Sequence, residues 1–105
     1  MPSENPANVL PLEGEIDLHV SPRVERALAS IIKKRPAHLV VDLSGVTFID
    51  SSGLAALIHA MQDVTKYGGK LTLSGINSDV RAIFEIARLD QIFVIGSCDG
   101  ELLAD

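Results

Sequence analysis

The segment best able to do chemistry is Asp50-Ser51-Ser52-Gly53, which stands between an apolar run and a helical pattern. This position puts both serines at the start of a helix, where the first backbone N–H groups have no intrahelical partner. The simplest interpretation is helix capping, in which Asp50 or Ser51 accepts those N–H bonds and contributes roughly 1 kcal/mol. A cap needs only one such side chain, so the doubled serine raises the question of a chemical role for a hydroxyl.

Nucleophilic catalysis by Ser51 is one such role, and the sequence disfavours it. A strand–serine–helix turn is typical of hydrolases when it reads G-x-S-x-G, but Ile49 occupies the first glycine position here. The one histidine after Ser51 is His59, eight residues later on the same predicted helix, which is too near in the chain to fold back. His19 and His38 have no evident orienting partner, and we expect surface or strand-end positions for both. We therefore predict no catalytic residues and no enzyme.

Cofactor and metal sites are also unsupported by the motifs. The phosphate-binding pattern G-x-x-x-x-G-K-[ST] is absent, and Gly68-Gly69-Lys70 follows a helix instead of preceding one. The histidines and the single cysteine, Cys98, do not cluster at ligand spacing. The sequence therefore predicts neither a cofactor nor a bound metal.

Modification of a serine is the chemistry that remains. A phosphate at the start of a helix carries about −1.5 to −2 charges and would meet free N–H donors there. The helix dipole favours it by roughly 0.3–1 kcal/mol, and Asp50 next door opposes it by a comparable amount. The fold is therefore predicted to survive phosphorylation, and the effect falls on a partner that must reject the added charge.

Composition and charge narrow the function classes further. The chain has 105 residues, 47% of them apolar, which suffices for one domain with its own core. A net charge of −5 argues against a nucleic-acid partner, and the cluster Lys33-Lys34-Arg35 is expected in the last turn of a helix. The sequence indicates a cytoplasmic protein without membrane insertion. The chain has a single cysteine, no apolar run approaches the ~20 residues that span a bilayer, and the N-terminus is unlike a signal peptide.

Hydrophobic periodicity predicts alternating strands and helices. Ser21-Pro22 is the expected capped start of the first helix, which Pro36 ends, and Gly68-Gly69 ends the second. A turn is expected at Ser44-Gly45, and Asn77 or Ser78 is expected to cap the third helix. Four strands are predicted, at residues 9–16, 38–43, 70–73 and 92–95, and residues 46–49 form a further apolar run after the turn. Helical core faces are predicted at Val24, Leu28, Ile31 and Ile32, at Leu54, Leu57, Ile58, Met61 and Val64, and at Val80, Ile83, Phe84 and Ala87.

The alternation of these elements is the signature of βαβ units. The predicted fold is therefore α/β: a single domain with a sheet of about four mostly parallel strands and helices packed on it. Pro11 removes one donor from the first strand, so this strand is expected at an edge or a bulge.

Three motifs in order now carry a resemblance that covers almost the whole chain. They are GEID at residues 14–17, DSSGL at residues 50–54, and the Gly68-Gly69 turn that leads into a strand. With the stretch at residues 76–93, they make the chain similar to a STAS domain of the anti-sigma factor antagonist family.

The resemblance implies partner switching. In this family the unphosphorylated antagonist binds an ATP-dependent anti-sigma factor serine kinase and frees its sigma factor; phosphorylation releases the antagonist, and a metal-dependent serine phosphatase resets it. By this resemblance Ser51 is the phosphoacceptor. The residues that frame it, and that the resemblance implies for partner binding, are Asp50, Ser52, Gly53 and Leu54. Asp17, at the end of GEID, would lie beside this turn and contribute to kinase docking, with a plain turn residue as the alternative.

Two departures from the family pattern accompany the resemblance. Family members usually begin with an extra edge strand before the GEID strand, whereas residues 1–7 here are predicted to be a flexible tail ahead of a STAS domain at residues 8–105. The final helix near Leu102 is also expected to be short. The missing strand leaves an edge near residues 9–12 that could pair with a second copy in a weak homodimer, which Pro11 would discourage.

Two rival functions stay open beside the antagonist. One is a STAS scaffold subunit of an ABC-type lipid transport system, which would need no phosphoacceptor; the doubled serine after an aspartate therefore favours the antagonist. The other is a small serine hydrolase, disfavoured as above. The sequence does not specify which sigma factor or pathway is controlled, or whether the released partner is a sigma factor.

Overall fold

The computed structural model of the protein describes residues 7–95. Its elements in chain order are β1 (Ala7–Ile16), α1 (Ser21–Ile32), β2 (His38–Ile49), α2 (Ser51–Lys66), β3 (Lys70–Ser74), α3 (Ser78–Ile86), a 3₁₀ turn (Leu89–Gln91) and β4 (Val94–Ile95). Of the predicted tail at residues 1–7, Ala7 belongs to β1, and residues 1–6 lie outside the described residues, as do Cys98 and the predicted last helix near Leu102. Within them, no helix is long and apolar enough to cross a membrane.

The four strands form one sheet in the order β1-β2-β3-β4, and every pair is parallel. This confirms the predicted α/β fold with a four-stranded parallel sheet. β1 begins at Ala7, two residues before the predicted start, and lies at an edge of the described sheet. Pro11 is opposite Asp42, and the register shifts before Glu13, as expected for a proline that cannot donate to the ladder.

The predicted turn at Ser44-Gly45 is wrong, because β2 runs unbroken through both residues. The two residues lie at an irregularity of the register, where β2 has more residues than the β1 segment opposite. Gly45 is opposite Glu13, and a Cβ on Gly45 would lie 2.9 Å from the Glu13 Cβ. The glycine therefore permits close approach of two strands instead of reversing the chain.

The core lies between the sheet and the helices. Leu39 and Val41 of β2 are opposite Leu71 and Leu73 of β3, so these four buried side chains share one face of the sheet. The helices add the buried side chains of Val24 and Leu28 from α1, Leu57, Ala60 and Val64 from α2, and Val80 and Phe84 from α3. Of the predicted core faces, only Ala87 is exposed, because it follows the last residue of α3.

The start and end of α1 differ from the prediction. Ser21 is the first helical residue, is 5% exposed and does not cap the helix; Val20 holds the N-cap position. The turn before it is closed by Asp17, whose carbonyl accepts hydrogen bonds from the N–H groups of Val20 (3.0 Å) and Ser21 (2.8 Å). Lys33-Lys34-Arg35 follows the helix instead of forming its last turn. The Arg35 guanidinium carbon there lies 5.8 Å from the centroid of the Tyr67 ring.

The end of α2 and the start of α3 follow the prediction. Gly68 has a φ of +87°, the left-handed conformation that a glycine adopts most readily after a helix. Asn77 caps α3 by accepting the Val80 N–H at 2.8 Å. The side-chain NH₂ group of Asn77 donates to the Val46 carbonyl at 2.9 Å. One side chain therefore both starts α3 and ties it to the far half of β2.

Leu73→Ala is expected to lower the free energy of unfolding by about 2–5 kcal/mol, because Leu73 is fully buried on an interior strand and its loss leaves a cavity. Urea denaturation measures the loss. The matched control is Ile86→Ala at a side chain that is 84% exposed, for which we expect a change within about 0.5 kcal/mol. Equal effects of the two substitutions would contradict the packing described.

Candidate functional site

The candidate site lies where β2 ends and α2 begins. Asp50 sits between them in an extended conformation, with φ −103° and ψ −173°, and is the N-cap of α2. One oxygen of its carboxylate, Oδ1, accepts the backbone N–H groups of Ser52 at 2.9 Å and Gly53 at 3.1 Å. The predicted capping is thereby confirmed, with Asp50 and not Ser51 as the cap.

The two serines are not equivalent. The Ser52 hydroxyl is half-buried and donates to Asp50 Oδ1 at 2.6 Å. Ser51 is exposed, and no hydrogen bond formed among residues 7–95 involves its hydroxyl. Of this pair, therefore, only Ser51 presents a hydroxyl that is both accessible and unengaged.

The N–H donors expected to meet a phosphate on Ser51 are largely occupied. The N–H groups of Ser52 and Gly53 already bond to the Asp50 side chain, and that of Leu54 bonds to the Asp50 carbonyl at 3.0 Å. The expectation of free donors is therefore wrong for these three groups. The reason is that the cap precedes the serine, so the first turn is satisfied from Asp50.

The Asp50 carboxylate is held in its charged form. The hydrogen bond from the Ser52 hydroxyl is the main cause that lowers the pKa of Asp50 from its ordinary 3.8, followed by the bond from the Gly53 N–H. Desolvation raises this pKa, and the backbone N–H groups of Ser52 and Leu18 lower it further.

The end of β1 lies directly beside the turn. The Asp50 N–H donates to the Ile16 carbonyl at 3.1 Å, which places Asp17 next to the start of α2 as predicted. The Asp17 carboxylate accepts the N–H groups of His19 (3.0 Å) and Val20 (3.2 Å). Asp17 is therefore a turn-forming residue, and its carboxylate is still half-exposed at the site.

Gly53 and Leu54 support the turn from the inside. Both are buried, Leu54 with 9% of its surface exposed. A Cβ on Gly53 would lie 2.6 Å from Ile49 Cγ1 and 2.8 Å from Ile16 Cγ2. The DSSGL motif thus combines one exposed hydroxyl with two residues that fit α2 against the ends of β1 and β2.

Each of the three histidines has a polar neighbour other than Ser51. His59 Nδ1 lies 3.9 Å from Glu25 of α1, His19 is 94% exposed, and His38 Nε2 is 2.8 Å from the Thr72 hydroxyl. His59 and Glu25 border a groove of about 320 Å³ between α1 and α2, which Ser51 does not line. Residues 7–95 hold no group of three potential metal ligands.

One residue of this region was not singled out by sequence reasoning. Leu18 is 69% exposed in the turn after GEID, beside the start of α2. The available signal was a large apolar residue in the connection between the predicted first strand and first helix, where polar residues are usual.

Gly53→Ala is expected to destabilise the domain by about 1–3 kcal/mol, although alanine is the better helix former. The new methyl group would meet Ile49 and Ile16 at distances that require α2 to shift. Chemical denaturation measures this cost. The control is Ser51→Ala at the exposed position two residues earlier, and a Gly53→Ala protein as stable as this control would contradict the close packing.

Asp50→Asn is expected to lower the thermal midpoint at neutral pH, because asparagine accepts the same bonds without the charge. A depressed folded-state pKa stabilises fully above the unfolded value of about 3.9 and loses this effect as the pH falls through the lower folded value. The wild-type advantage should therefore stay constant from pH 7 to about 4 and shrink in stronger acid. Thermal midpoints of both proteins across pH measure it; an advantage that persists undiminished would contradict the charged cap.

Residues 2–100 of the chain match the family model of the STAS domain. An anti-sigma-B factor antagonist of Listeria monocytogenes is 33% identical over 89 residues, which cover 85% of this chain and 78% of that protein.

Two solved structures share the fold and most of both chains. An anti-sigma factor antagonist from Mycobacterium paratuberculosis has a TM-score of 0.84 at 28% identity, covering 98% of this chain and 88% of that chain. The STAS domain of a SulP transporter from Vibrio cholerae has a TM-score of 0.73 at 28% identity, covering 98% and 83%. The family model, the sequence relative and the fold agree with the GEID and DSSGL motifs, and the chain belongs to the STAS domain family of anti-sigma factor antagonists.

Proposed function

We propose that this chain is a cytoplasmic anti-sigma factor antagonist that works by partner switching and is not itself an enzyme. Its relatives named anti-sigma factor antagonists support this role. The observation that carries the proposal is the contrast within the serine pair. Ser51 presents an exposed hydroxyl at the start of α2 that bonds to nothing within residues 7–95, while the Ser52 hydroxyl donates to Asp50.

The proposed cycle has two covalent steps. The unphosphorylated chain binds an anti-sigma factor serine kinase, which transfers the γ-phosphoryl group of ATP to the Ser51 oxygen. A P–O bond forms at Ser51, the bond between the β- and γ-phosphates breaks, the hydroxyl proton passes to a base of the kinase, and ADP leaves. A metal-dependent serine phosphatase then hydrolyses the phosphoserine and returns the free hydroxyl.

Release follows from the charge at the turn. Phosphoserine adds about −1.5 to −2 charges next to Asp50, which is already ionised, and near the half-exposed Asp17. The N–H groups of Ser52 and Gly53 are engaged with Asp50, so they do not neutralise this charge. The dianion therefore faces the partner, which must either desolvate it or dissociate.

The other motif residues have distinct parts in this proposal. Asp17 and Asp50 contribute charge to the kinase contact and Ser52 fixes the Asp50 carboxylate, while Gly53 and Leu54 hold the start of α2 in place from beneath. Because Ser51 is exposed, its phosphorylation alters the surface and leaves the core intact.

A second candidate is a STAS scaffold that binds a transport protein, for example as a subunit of an ABC-type lipid transport system. The observation that favours a transport role is the similarity to the STAS domain of the Vibrio cholerae SulP transporter. A scaffold would use the same domain for binding and would not depend on modification of Ser51.

The first test is a pull-down from lysate of the native cells with three baits, wild type, Ser51→Ala and Ser51→Asp, followed by mass spectrometry. The second test incubates wild type, Ser51→Ala and Ser52→Ala with the purified kinase and ATP and measures phosphorylation. We expect wild type and Ser51→Ala to retain a kinase and Ser51→Asp to lose it, because the added carboxylate imitates part of the phosphate charge. In the kinase reaction, wild type and Ser52→Ala should accept phosphate and Ser51→Ala should not.

Ser52→Ala is the matched control, because it removes the neighbouring hydroxyl and leaves the proposed acceptor. Equal retention of transport subunits by wild type and Ser51→Asp would favour the scaffold. Phosphate on the Ser51→Ala protein would contradict the assignment of the acceptor.

A further inference from the structure

The exposed large apolar side chains within residues 8–93 are unevenly placed. The large ones are Val9, Leu18, Phe48, Ile86 and Ile92. Leu18 and Phe48 lie at the carboxyl end of the β1–β2 pair, where Ser51 begins α2, whereas Val9 is near the opposite end. A single exposed leucine is ordinary in a globular protein, so the surroundings of Leu18 decide its meaning.

Leu18 is held in a fixed position beside the phosphoacceptor turn. It follows Ile16 by two residues, and the Ile16 carbonyl accepts the Asp50 N–H at 3.1 Å, so the loop that carries Leu18 starts beside Asp50. The residues around it are pinned as well: His19 and Val20 donate to the Asp17 carboxylate. A side chain that is 69% exposed on such a constrained loop is pre-organised for contact and loses little backbone freedom on binding.

The surface around Leu18 is acidic. Glu13 and Glu15 are exposed on β1, Asp17 precedes Leu18, and the N–H of Asp50 bonds to the carbonyl of Ile16 at the end of β1. No lysine or arginine occurs between residues 7 and 22, and the chain as a whole carries a net charge of −5. A complementary partner therefore presents an apolar pocket bordered by lysine or arginine side chains.

We infer that Leu18 is the apolar anchor of the kinase contact, inserted into a pocket of the kinase that basic side chains border. This inference rests on the proposed function and adds to it a partner chemistry and a residue that determines affinity. Burial of Leu18 removes water from the surface beside Ser51, which makes a phosphate there costlier to enclose. The same anchor thus strengthens binding of the unphosphorylated form and sharpens release.

The test uses the purified kinase recovered by the wild-type bait, with isothermal titration calorimetry for Kd and steady-state kinetics for phosphorylation. Leu18→Ser should raise Kd about tenfold or more, which corresponds to about 1.4 kcal/mol. It should raise KM for this chain and leave kcat unchanged, because Leu18 is not at the reacting atoms. Leu18→Met should restore binding to within about threefold of wild type.

The matched control is Val9→Ser, because the Val9 side chain is apolar and 59% exposed but lies far from the Ser51 turn. Val9 pairs with Val40, which precedes Ile49 at the end of β2 by nine residues, or roughly 30 Å of strand. The Val9→Ser protein should bind the kinase like wild type. Thermal midpoints of all variants show that the fold is intact.

Three results would overturn the inference, and they separate it from the proposed function. If Leu18→Ser binds like wild type while Ser51→Asp does not bind, the anchor is wrong and partner switching stands. If Leu18→Ser and Val9→Ser weaken binding equally, the effect is not specific to this corner. If no kinase binds or phosphorylates the wild-type chain, the proposed function fails and the inference fails with it.

Discussion

The hydrogen bond from the Asp50 N–H to the Ile16 carbonyl, 3.1 Å long, joins the end of β1 to the residue that starts α2. It continues the parallel pairing of β1 and β2, in which Ile16 lies opposite Ile49. With the backbone of Asp50 fixed by the sheet, its carboxylate is free to cap the helix. The spacing leaves no room for a Cβ at Gly53, so the pairing, the cap and the glycine depend on one another.

The polar groups at the start of α2 differ in what they bond to. Asp50 and Ser52 are engaged with each other and with the first turn. Ser51 takes no part in that network, so a group attached to its hydroxyl meets solvent or a partner instead of the fold. Because the N–H groups of Ser52, Gly53 and Leu54 already donate to Asp50, they do not neutralise a charge added at Ser51. A site with these properties can change what binds the domain without changing its stability greatly.

The surroundings of the turn give the site its sign. Acidic side chains on β1 and in the following loop, together with the ionised Asp50, make this end of the sheet negative. Leu18 is an exposed apolar side chain within this negative surface. Coulomb attraction to a basic partner acts at long range, while apolar contact acts only on close approach. Together they would make the association rate depend on salt concentration and the affinity depend on how well the Leu18 side chain fits the partner.

Local patterns determined the alternation of strands and helices, the presence of a side-chain cap at Asp50 or Ser51 and the motifs that identify the family, because these features arise from residues within a few positions of one another. Tertiary structure decided the rest. Gly45 lies within a strand because Glu13, distant in the chain, stands opposite it. Ser21 is buried because the Asp17 turn starts α1 one residue earlier. The exposure of Leu18 beside the turn likewise depends on strand register, which brings together residues whose proximity no local pattern encodes.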